Sequence, residues 1–489
     1  MGPRKGLALP PPRFGHAGLQ MCQTRAGGNH RMRYPRVQGS TIMDKSRGHA
    51  QMSTHRTRTC VLGSMLAIGA TSASAAQFDY GWRVGVSHSD NIGLTETDPI
   101  SQNMLVPGFD FSYQQQGTTF QADVVGNVEY RDYLAHAFDN QTLAQLAGQV
   151  NWTMLPERLD FTVRDVASVQ PLSTFSSNAP DNQQQTNVLT VGPTLRFRLN
   201  PTVRGQAELR YIDSRASKTN EFDSSRGLLA LRLFKDLSPT ATLSANAETE
   251  RVTFDHADAG PAYNRTQLFA SSASRLSQID INASLGWSRL SFDQAQSINT
   301  PLARLSVAWR MTPNSTLLLR GARQYGDAAE DLINQLDQNP GESALTPPAP
   351  SNINTGTTVI SSEVYTERRF EAVYTYVGTR WNLRVAPLYR DFDYINDPTD
   401  SQRGRGGTLG LDYRLRPRTI LSLFGNTESM EYQAVARTDR TTNFGLIMNT
   451  QRTEHWSWSA SFTRRLRHSD TVGASYHANE IYLGVAYRR

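Results

Sequence analysis

The segment Met154-Leu155-Pro156-Glu157-Arg158-Leu159 reads as a short, proline-marked turn between two runs that alternate apolar and polar residues. Similar turns recur at residues 199–203, 237–241, 311–315 and 415–419. Proline suits them because it fixes φ and donates no hydrogen bond to a strand ladder. Apart from one long insertion, the prolines are spaced near multiples of about 38 residues, enough for two strands and two connections. The repeat predicts a β-meander in which every second connection is short.

The alternation between these turns has a period of two. Trp82, Val84 and Val86 alternate with Arg83 and Gly85, and the same pattern continues to the end of the chain. From residue 78 onward there is no run of 18 apolar residues and no sustained helical periodicity, so we expect an all-β protein. One face of each strand is aliphatic and aromatic, and the other carries arginine, acids, serine and glycine.

The composition favours a membrane barrel over a soluble sheet protein. The chain has 489 residues, a mean hydropathy of −0.49 and only 38% hydrophobic residues. This is too polar for membrane-spanning helices, whereas half of the strand positions in a transmembrane barrel face an aqueous lumen. The apparent strand lengths also exceed those of most soluble β-sandwiches. We therefore predict a transmembrane antiparallel up-and-down β-barrel of about 20 strands, within a range of 16 to 22.

The first 75 residues differ from the rest. Residues 1–51 are rich in proline, glycine and arginine, and we interpret them as a disordered leader upstream of the true start. Residues 52–75 have a basic beginning, an apolar run and an Ala73-Ser74-Ala75 cleavage motif, which is typical of a secretory signal peptide. Residues 76–489 would then form the barrel, delivered to the outer membrane of a Gram-negative cell.

Net charge and cysteine use exclude several function classes. Residues 1–75 hold 11 of the 50 Lys+Arg and one of the 44 acids, so the remainder has a net charge of −4. The basic pI of the whole chain therefore gives no support for nucleic-acid binding. Both cysteines, Cys22 and Cys60, precede the barrel segment, which argues against a thiol site, a cysteine zinc site or a disulfide scaffold there.

The connections fall into two predicted sets. Nine short ones lie near residues 116, 156, 201, 239, 277, 313, 378, 417 and 453. The longer, polar ones lie near 93–101, 134–139, 172–184, 215–221, 256–261, 294–297, 327–356, 395–403 and 469–475. In bacterial barrels the short turns and both termini face the periplasm. The long insertion at 327–356 is either an extracellular lid or a loop folded into the lumen, and it is the expected constriction or gate.

Charged residues on the polar face are the candidate functional residues. By strand parity we expect the following to line the pore: Arg196, Arg198, Arg210, Arg304, Arg310, Arg384, Arg414, Glu208 and Asp412. They could form a selective eyelet for anions or sugars, or a network of ion pairs that only neutralises the wall. Aromatic residues near strand ends, such as Trp82, Trp381 and Trp456, are typical of a girdle at the lipid headgroups.

The sequence carries no nucleophile, metal-ligand or nucleotide-binding motif of a known enzyme class. The acidic first loop, with Asp90, Glu96 and Asp98, lacks the spacing of an EF-hand. We therefore expect no catalytic residue, no cofactor and no metal site. An enzyme is kept as a remote alternative.

Two short motifs resemble a known family. Ser87-His88-Ser89-Asp90-Asn91-Ile92 is similar to the Ser-x-Asp-Asn-Ile turn that opens EpsL-like or "β-barrel porin 2" proteins, which accompany exopolysaccharide and PEP-CTERM/exosortase systems. The segment 413–419, Tyr-Arg-Leu-Arg-Pro-Arg-Thr, resembles the repeated turns of that family. The resemblance spans residues 78–489 and implies an outer-membrane barrel with a role in polysaccharide export or envelope biogenesis.

The expected function is thus passive passage of exopolysaccharide through a polar, arginine-rich lumen. The alternative is a non-conducting barrel with a structural or assembly role in the outer membrane. Expected partners are membrane lipid and lipopolysaccharide, the barrel-assembly machinery, a polysaccharide chain and periplasmic export components.

Overall fold

The computed structural model describes residues 76–173, 175–293, 296–338, 360–433 and 435–489. Twenty strands follow one another along the chain: β1 (Gln77–Ser89), β2 (Gln102–Gln116), β3 (Phe120–Tyr133), β4 (Gln141–Leu155), β5 (Leu159–Pro171), β6 (Gln183–Asn200), β7 (Val203–Ala216), β8 (Ser224–Ser238), β9 (Ala241–Phe254), β10 (Tyr263–Arg275), β11 (Ile279–Phe292), β12 (Ile298–Thr312), β13 (Ser315–Asp327), β14 (Val364–Val377), β15 (Trp381–Tyr394), β16 (Gln402–Arg416), β17 (Thr419–Tyr432), β18 (Arg437–Gln451), β19 (Trp456–Ser469) and β20 (Tyr476–Arg488). One α-helix, α1 (Ala328–Gln338), follows β13, and single 3₁₀ turns lie at Pro180–Asn182, Asn220–Phe222, Ala257–Ala259 and Pro398–Asp400.

The strands form one closed antiparallel barrel. Every strand pairs with its neighbours in sequence, and β1 pairs with β20 from Gly81↔Arg488 to Ser89↔Glu480. Closure leaves no free edge, as a membrane barrel requires. The predicted fold class and the count of about 20 strands are confirmed. The predicted leader 1–51 and signal peptide 52–75 lie outside the described residues.

The two rims of the barrel differ in the length of their connections. Nine tight turns form one rim, the short-turn end, at the nine places that the sequence predicts. The other rim, the long-loop end, carries the longer connections, and both ends of the described chain lie on the short-turn side. One connection of this rim, between β17 and β18, is absent from the predicted set, because only four residues separate the two strands.

Proline also interrupts the ladder inside three strands. Pro107, Pro193 and Pro387 each pair with one neighbouring strand, at Val84, Phe161 and Gly407 respectively. On the other side the β2–β3, β6–β7 and β14–β15 ladders each skip two residue pairs. A proline has no N–H to donate, so it is tolerated in a strand only where a ladder bond can be given up. These gaps leave backbone groups that side chains must satisfy.

The outer surface of the barrel is apolar and exposed. Leu285 is 68% exposed and Trp82 is 59% exposed, although both lie within strands. Other exposed, outward-pointing side chains are Val84, Val86, Leu195, Phe197, Leu229, Leu231, Leu233, Leu305, Leu409, Trp458, Ile481 and Leu483. A belt of this extent around a closed sheet would be a liability in water and is the surface that a bilayer covers.

Aromatic rings edge this belt at the short-turn end. The ring of Trp82 lies 4.4 Å from that of Phe109, and Trp456 lies 5.3 Å from Tyr487. Tyr80, Trp381 and Trp458 occupy outward positions at the same level. Outward orientation fits the predicted headgroup girdle and not a sugar-stacking track in the lumen.

Buried apolar contacts are concentrated inside the barrel at the long-loop end. All six buried clusters of the described residues draw on strand ends and loops of that side. For example, Ile92 of the first loop packs with Met104, Val106 and Tyr133. The long-loop half of the lumen is therefore filled with side chains. In the short-turn half, inward positions such as Arg198 and Arg310 remain exposed.

Candidate functional site

The filling of the long-loop half includes the helix α1. The chain enters this helix directly from β13, and Ala328, Ala329 and Leu332 are almost completely buried. They pack against Val188, Ile212 and Phe222 on the β6–β7 side of the barrel, together with Ile360. No helix among the described residues is both long enough and apolar enough to span a membrane.

This helix corrects one expectation from the sequence. The sequence predicts a long polar insertion at residues 327–356 and no sustained helical periodicity anywhere in the barrel segment. Ala328, Ala329, Leu332 and Ile333 do recur at helical spacing, but the stretch is short and leads into the proline-rich remainder of the insertion. Of the two predicted placements, surface lid or lumen loop, the described residues 328–338 adopt the second. Residues 339–356 lie outside the described part of the chain.

Asp327 begins the helix and ties it to the wall. Its Oδ1 accepts hydrogen bonds from the backbone N–H groups of Ala329 (3.0 Å) and Glu330 (3.1 Å), which is the geometry of an N-cap. Its Oδ2 lies 2.7 Å from Nη1 of Arg226 on β8 and accepts a 3.2 Å bond from the hydroxyl of Tyr263 on β10. One carboxylate therefore both starts α1 and anchors it to two strands.

A second ion pair also connects α1 to the barrel wall. Glu330 on α1 pairs with Arg265 of β10, and Arg265 also lies 2.7 Å from Glu250 of β9. We refer to Arg226, Arg265, Glu250, Asp327 and Glu330 as the latch. The side chains of Arg226, Asp327 and Glu250 are only 4–5% exposed. Removing one partner from a buried ion pair costs about 3–5 kcal/mol, because the remaining charge is left unpaired.

Asp331 is the titratable group on the other side of α1. It accepts a 2.5 Å hydrogen bond from the hydroxyl of Tyr365 on β14. Burial, reinforced by the nearby Glu367, raises the pKa of Asp331 to about 8, against the opposing effects of Tyr365 and Arg369. The helix thus presents a carboxyl group that is largely protonated at neutral pH.

A second polar network lies on the β1–β3 wall. Arg83 of β1 reaches Asp110 at 2.5 Å, Asn127 at 2.9 Å and Glu129 at 3.0 Å. Glu129 also accepts a 2.8 Å bond from Arg131. These groups are almost completely buried, and they connect four charges across three adjacent strands. Such a network holds the wall in one arrangement.

The β15–β19 wall carries two further arginine clusters. Arg390 makes a bidentate pair with Glu428, with both distances at 2.9 Å. Arg437 and Arg467 share Asp439, and all three of these side chains are at most 2% exposed. Together with the latch, these clusters place most of the buried arginines in the long-loop half.

The nine residues predicted to line the pore occupy inward positions in their strands, but they are not gathered in one site. Arg196, Arg198, Arg310 and Arg414 are exposed at the short-turn end. Arg310 there forms a bidentate pair with Asp280, at 2.5 and 3.1 Å, and Arg196 pairs with Asp160. Such exposed pairs in water contribute little to stability.

The remaining predicted residues lie farther from the short-turn end, and most of them form hydrogen bonds or ion pairs with residues of the same or a neighbouring strand. Arg210 donates to the carbonyl oxygen of Pro193 (2.6 Å) and to Thr194 (2.6 Å), so it satisfies a backbone group at a proline gap. Glu208 pairs with Arg232, Asp412 accepts a 2.6 Å bond from Ser422, and Arg304 bonds to Gln324. Arg384 lies on the inward face of β15. For Arg210 this geometry favours the wall-neutralising alternative over an eyelet.

Sequence reasoning missed the arginines that the structure brings together. Arg226, Arg265, Arg437 and Arg467 are inward by the same parity as the predicted set, so the alternation identifies their face. Alternation does not predict how deeply these side chains are buried, because burial depends on which loop folds back over each strand. The acidic start of α1, Glu330-Asp331, was the available signal that the insertion carries charges able to meet them.

The acidic first loop is held by hydrogen bonds to the neighbouring strand. Asp90 accepts bonds from the backbone N–H of Asn479 (2.7 Å) and from its side chain (2.6 Å). These contacts give Asp90 a structural role in seating the first loop against β20. Within the described ranges, no group of three potential metal ligands comes together.

Comparisons with known proteins add the following. No family model and no curated protein matches the chain. Among solved structures, it is similar to a mutant of the ferric enterobactin receptor PfeA from Pseudomonas aeruginosa (12% identity, TM-score 0.44, 86% of this chain and 81% of that one). It is also similar to the FrpB iron transporter from Neisseria meningitidis (7%, 0.42, 84% and 82%) and to the siderophore receptor PiuA from Acinetobacter baumannii (9%, 0.43, 86% and 82%).

The architecture rests on the chain's own geometry. A closed antiparallel barrel, a lipid-compatible belt and an aromatic girdle are together those of an outer-membrane-type β-barrel. The resemblance to EpsL-like proteins stays a prediction.

Proposed function

We propose that this protein is an outer-membrane conduit for polar polymers, closed from inside by α1. The observation that carries the proposal is the latch. A helix that continues directly from β13 is held in the lumen by ion pairs from Arg226 of β8 and Arg265 of β10. Buried charge pairs are poor general stabilisers, but they define one position sharply.

The finer proposal concerns the cargo and its direction. The resemblance of the turns at residues 87–92 and 413–419 to those of EpsL-like proteins supports a place beside exopolysaccharide systems, with export from the periplasm to the cell surface. In this arrangement the short-turn end and both termini face the periplasm. The exposed arginines there, including Arg196, Arg198, Arg310 and Arg414, would line a hydrated entry. Lipopolysaccharide would surround the long-loop rim, and periplasmic export components would meet the short turns.

Planar-bilayer recording tests the conduit. We expect the wild-type protein to conduct rarely and the variant Arg226→Gln/Arg265→Gln to conduct frequently, because the unpaired acids would drive α1 out of its position. Arg251→Gln is the matched control, since Arg251 pairs with Asp293 at exposed positions outside the lumen. Its conductance should equal that of the wild type. Block of the open variant by added polysaccharide would support export.

A second candidate function is a non-conducting barrel that serves envelope structure or assembly. It is favoured by the six apolar clusters that fill the long-loop half of the lumen. If both the wild type and the latch variant are silent in the bilayer while they keep the heat-modifiable gel shift of a folded barrel, this candidate replaces the conduit.

A further inference from the structure

In the cluster of Arg437, Asp439 and Arg467, two positively charged guanidinium groups share one negatively charged carboxylate, so the cluster has an excess positive charge. Nε of Arg437 donates to Oδ1 of Asp439 at 2.8 Å, and Nη2 of Arg467 donates to Oδ2 at 2.9 Å. One carboxylate therefore serves two guanidinium groups. Since all three side chains are at most 2% exposed, water does not screen the excess charge.

Several donors of these arginines make no hydrogen bond within the described part of the chain. Nη1 and Nη2 of Arg437 and Nε of Arg467 have no hydrogen-bond acceptor within the described part of the chain. Nη2 of Arg437 lies 2.8 Å from Oδ2 of Asp439, but without the alignment of a hydrogen bond. Buried guanidinium groups normally have their donors satisfied, so the unused donors indicate a place for an additional acceptor.

Two buried acids of the neighbouring wall, on β17 and β20, are already engaged. Glu428 is held in the bidentate pair with Arg390, and Glu480 accepts bonds from Arg465 (2.9 Å) and Ser87 (3.0 Å). Neither can turn to the cluster without breaking its own pair. Neither of these two acids therefore supplies the missing acceptor.

Aromatic rings lie beside the cluster. The guanidinium carbon of Arg437 lies 5.6 Å from the ring centre of Tyr432. The ring of Phe175, from the loop between β5 and β6, lies 6.2 Å from the same tyrosine, so this loop extends across the lumen to the β17 wall. The cluster thus lies at inward positions of β18 and β19, near the long-loop end and close to the point that this loop reaches.

We propose that Arg437 and Arg467 form an anion subsite for the carboxylate of an acidic sugar unit in the cargo. The planar fork of a guanidinium group matches a carboxylate, and two forks with spare donors can hold one more. The inference rests on the proposed function, which it deepens by assigning the cargo to acidic polysaccharides. Phosphate offers the same acceptor chemistry, and the experiment separates the two.

The test is binding by the full-length, detergent-folded protein, measured by titration calorimetry with hexagalacturonate. Maltohexaose is the neutral control ligand and inorganic phosphate the competing anion. The variant Arg437→Gln/Asp439→Asn/Arg467→Gln removes the excess charge without leaving an unpaired acid, so it should keep its fold. We expect its affinity for hexagalacturonate to fall about tenfold or more, because charge-assisted hydrogen bonds are lost. Arg251→Gln should bind as the wild type does.

Three outcomes would overturn the assignment. These are an unchanged affinity in the triple variant, equal binding of maltohexaose, or binding of phosphate alone. Binding does not require an open conduit, so the two proposals fail separately. A protein that binds hexagalacturonate through this cluster but never conducts would contradict only the conduit.

Discussion

Two ion pairs inside the same lumen show how differently its two halves are built. Arg310 and Asp280, in the short-turn half, are 45% and 31% exposed, whereas Arg226 and Asp327, in the long-loop half, are 4% and 5% exposed. Their distances are similar, at 2.5 and 2.7 Å. Water screens the first pair, and the second pair is isolated from it. Both pairs consist of an arginine and an aspartate, so their chemistry is the same. The difference in burial arises because α1 packs inside the barrel beside Arg226 and Asp327.

The largest expected effect is the loss of Arg226. In Arg226→Gln, Asp327 keeps its N-cap bonds but loses its buried counter-charge. We expect the docked state of α1 to be destabilised by about 3–5 kcal/mol. The open probability of the channel in planar bilayers measures this directly. An Arg226→Gln protein that stays closed would show that the latch does not hold the helix.

The next effect comes from the apolar side of α1. Leu332 is completely buried among Val188, Ile212 and Phe222, so Leu332→Ala should cost about 2–5 kcal/mol of docking free energy. Leu285→Ala is the matched control, because Leu285 is 68% exposed on the lipid face. Open probability should rise only in the first variant, and equal behaviour of the two would place α1 outside the lumen core.

A pH dependence of the docking of α1 is expected from Asp331. Its pKa in the docked helix is about 8, above the ordinary value of 3.8, because of burial and the nearby Glu367. Docking is therefore strongest below about pH 4. It weakens as pH rises through about 8 and the carboxyl group loses its proton. Opening should increase with pH across this range. Glu330, Glu367, Arg369, Tyr365 and Tyr394 surround this group.

Asp331→Asn is the variant that isolates this carboxyl group. Asparagine keeps an acceptor for Tyr365 and does not ionise, so the opening curve should become flatter between pH 4 and 8. A curve that keeps its full slope would assign the pH dependence to the other acids.

The smallest effect is expected in the short-turn half. Arg310→Gln removes an exposed pair worth about 1 kcal/mol or less, so the free energy of unfolding and the open probability should hardly change. Urea unfolding in lipid vesicles is the check. A loss comparable to that of Arg226→Gln would show that the two halves of the lumen are not distinct.

The fold could be predicted from the sequence because its rules are local. Alternation assigns each side chain to a face, and the proline turns at Pro156, Pro201 and Pro239 set the length of each strand. Alternation therefore assigns all nine predicted pore residues to the polar face of their strands. The candidate site could not be predicted in the same way. Whether Arg226 or Arg310 is buried depends on where residues 328–338 pack, which is a tertiary contact without a local signature.

The most direct measurement of the central claim is thiol labelling of Leu332→Cys with a membrane-impermeant maleimide. The barrel segment 76–489 has no cysteine, so a single introduced thiol reports alone. Val472→Cys, at a loop position that is 99% exposed, is the positive control. We predict that Cys at 332 is protected in the wild-type background and becomes reactive when Arg226 and Arg265 are replaced by glutamine. Labelling of 332 as fast as 472 with the latch intact would contradict a helix held inside the lumen.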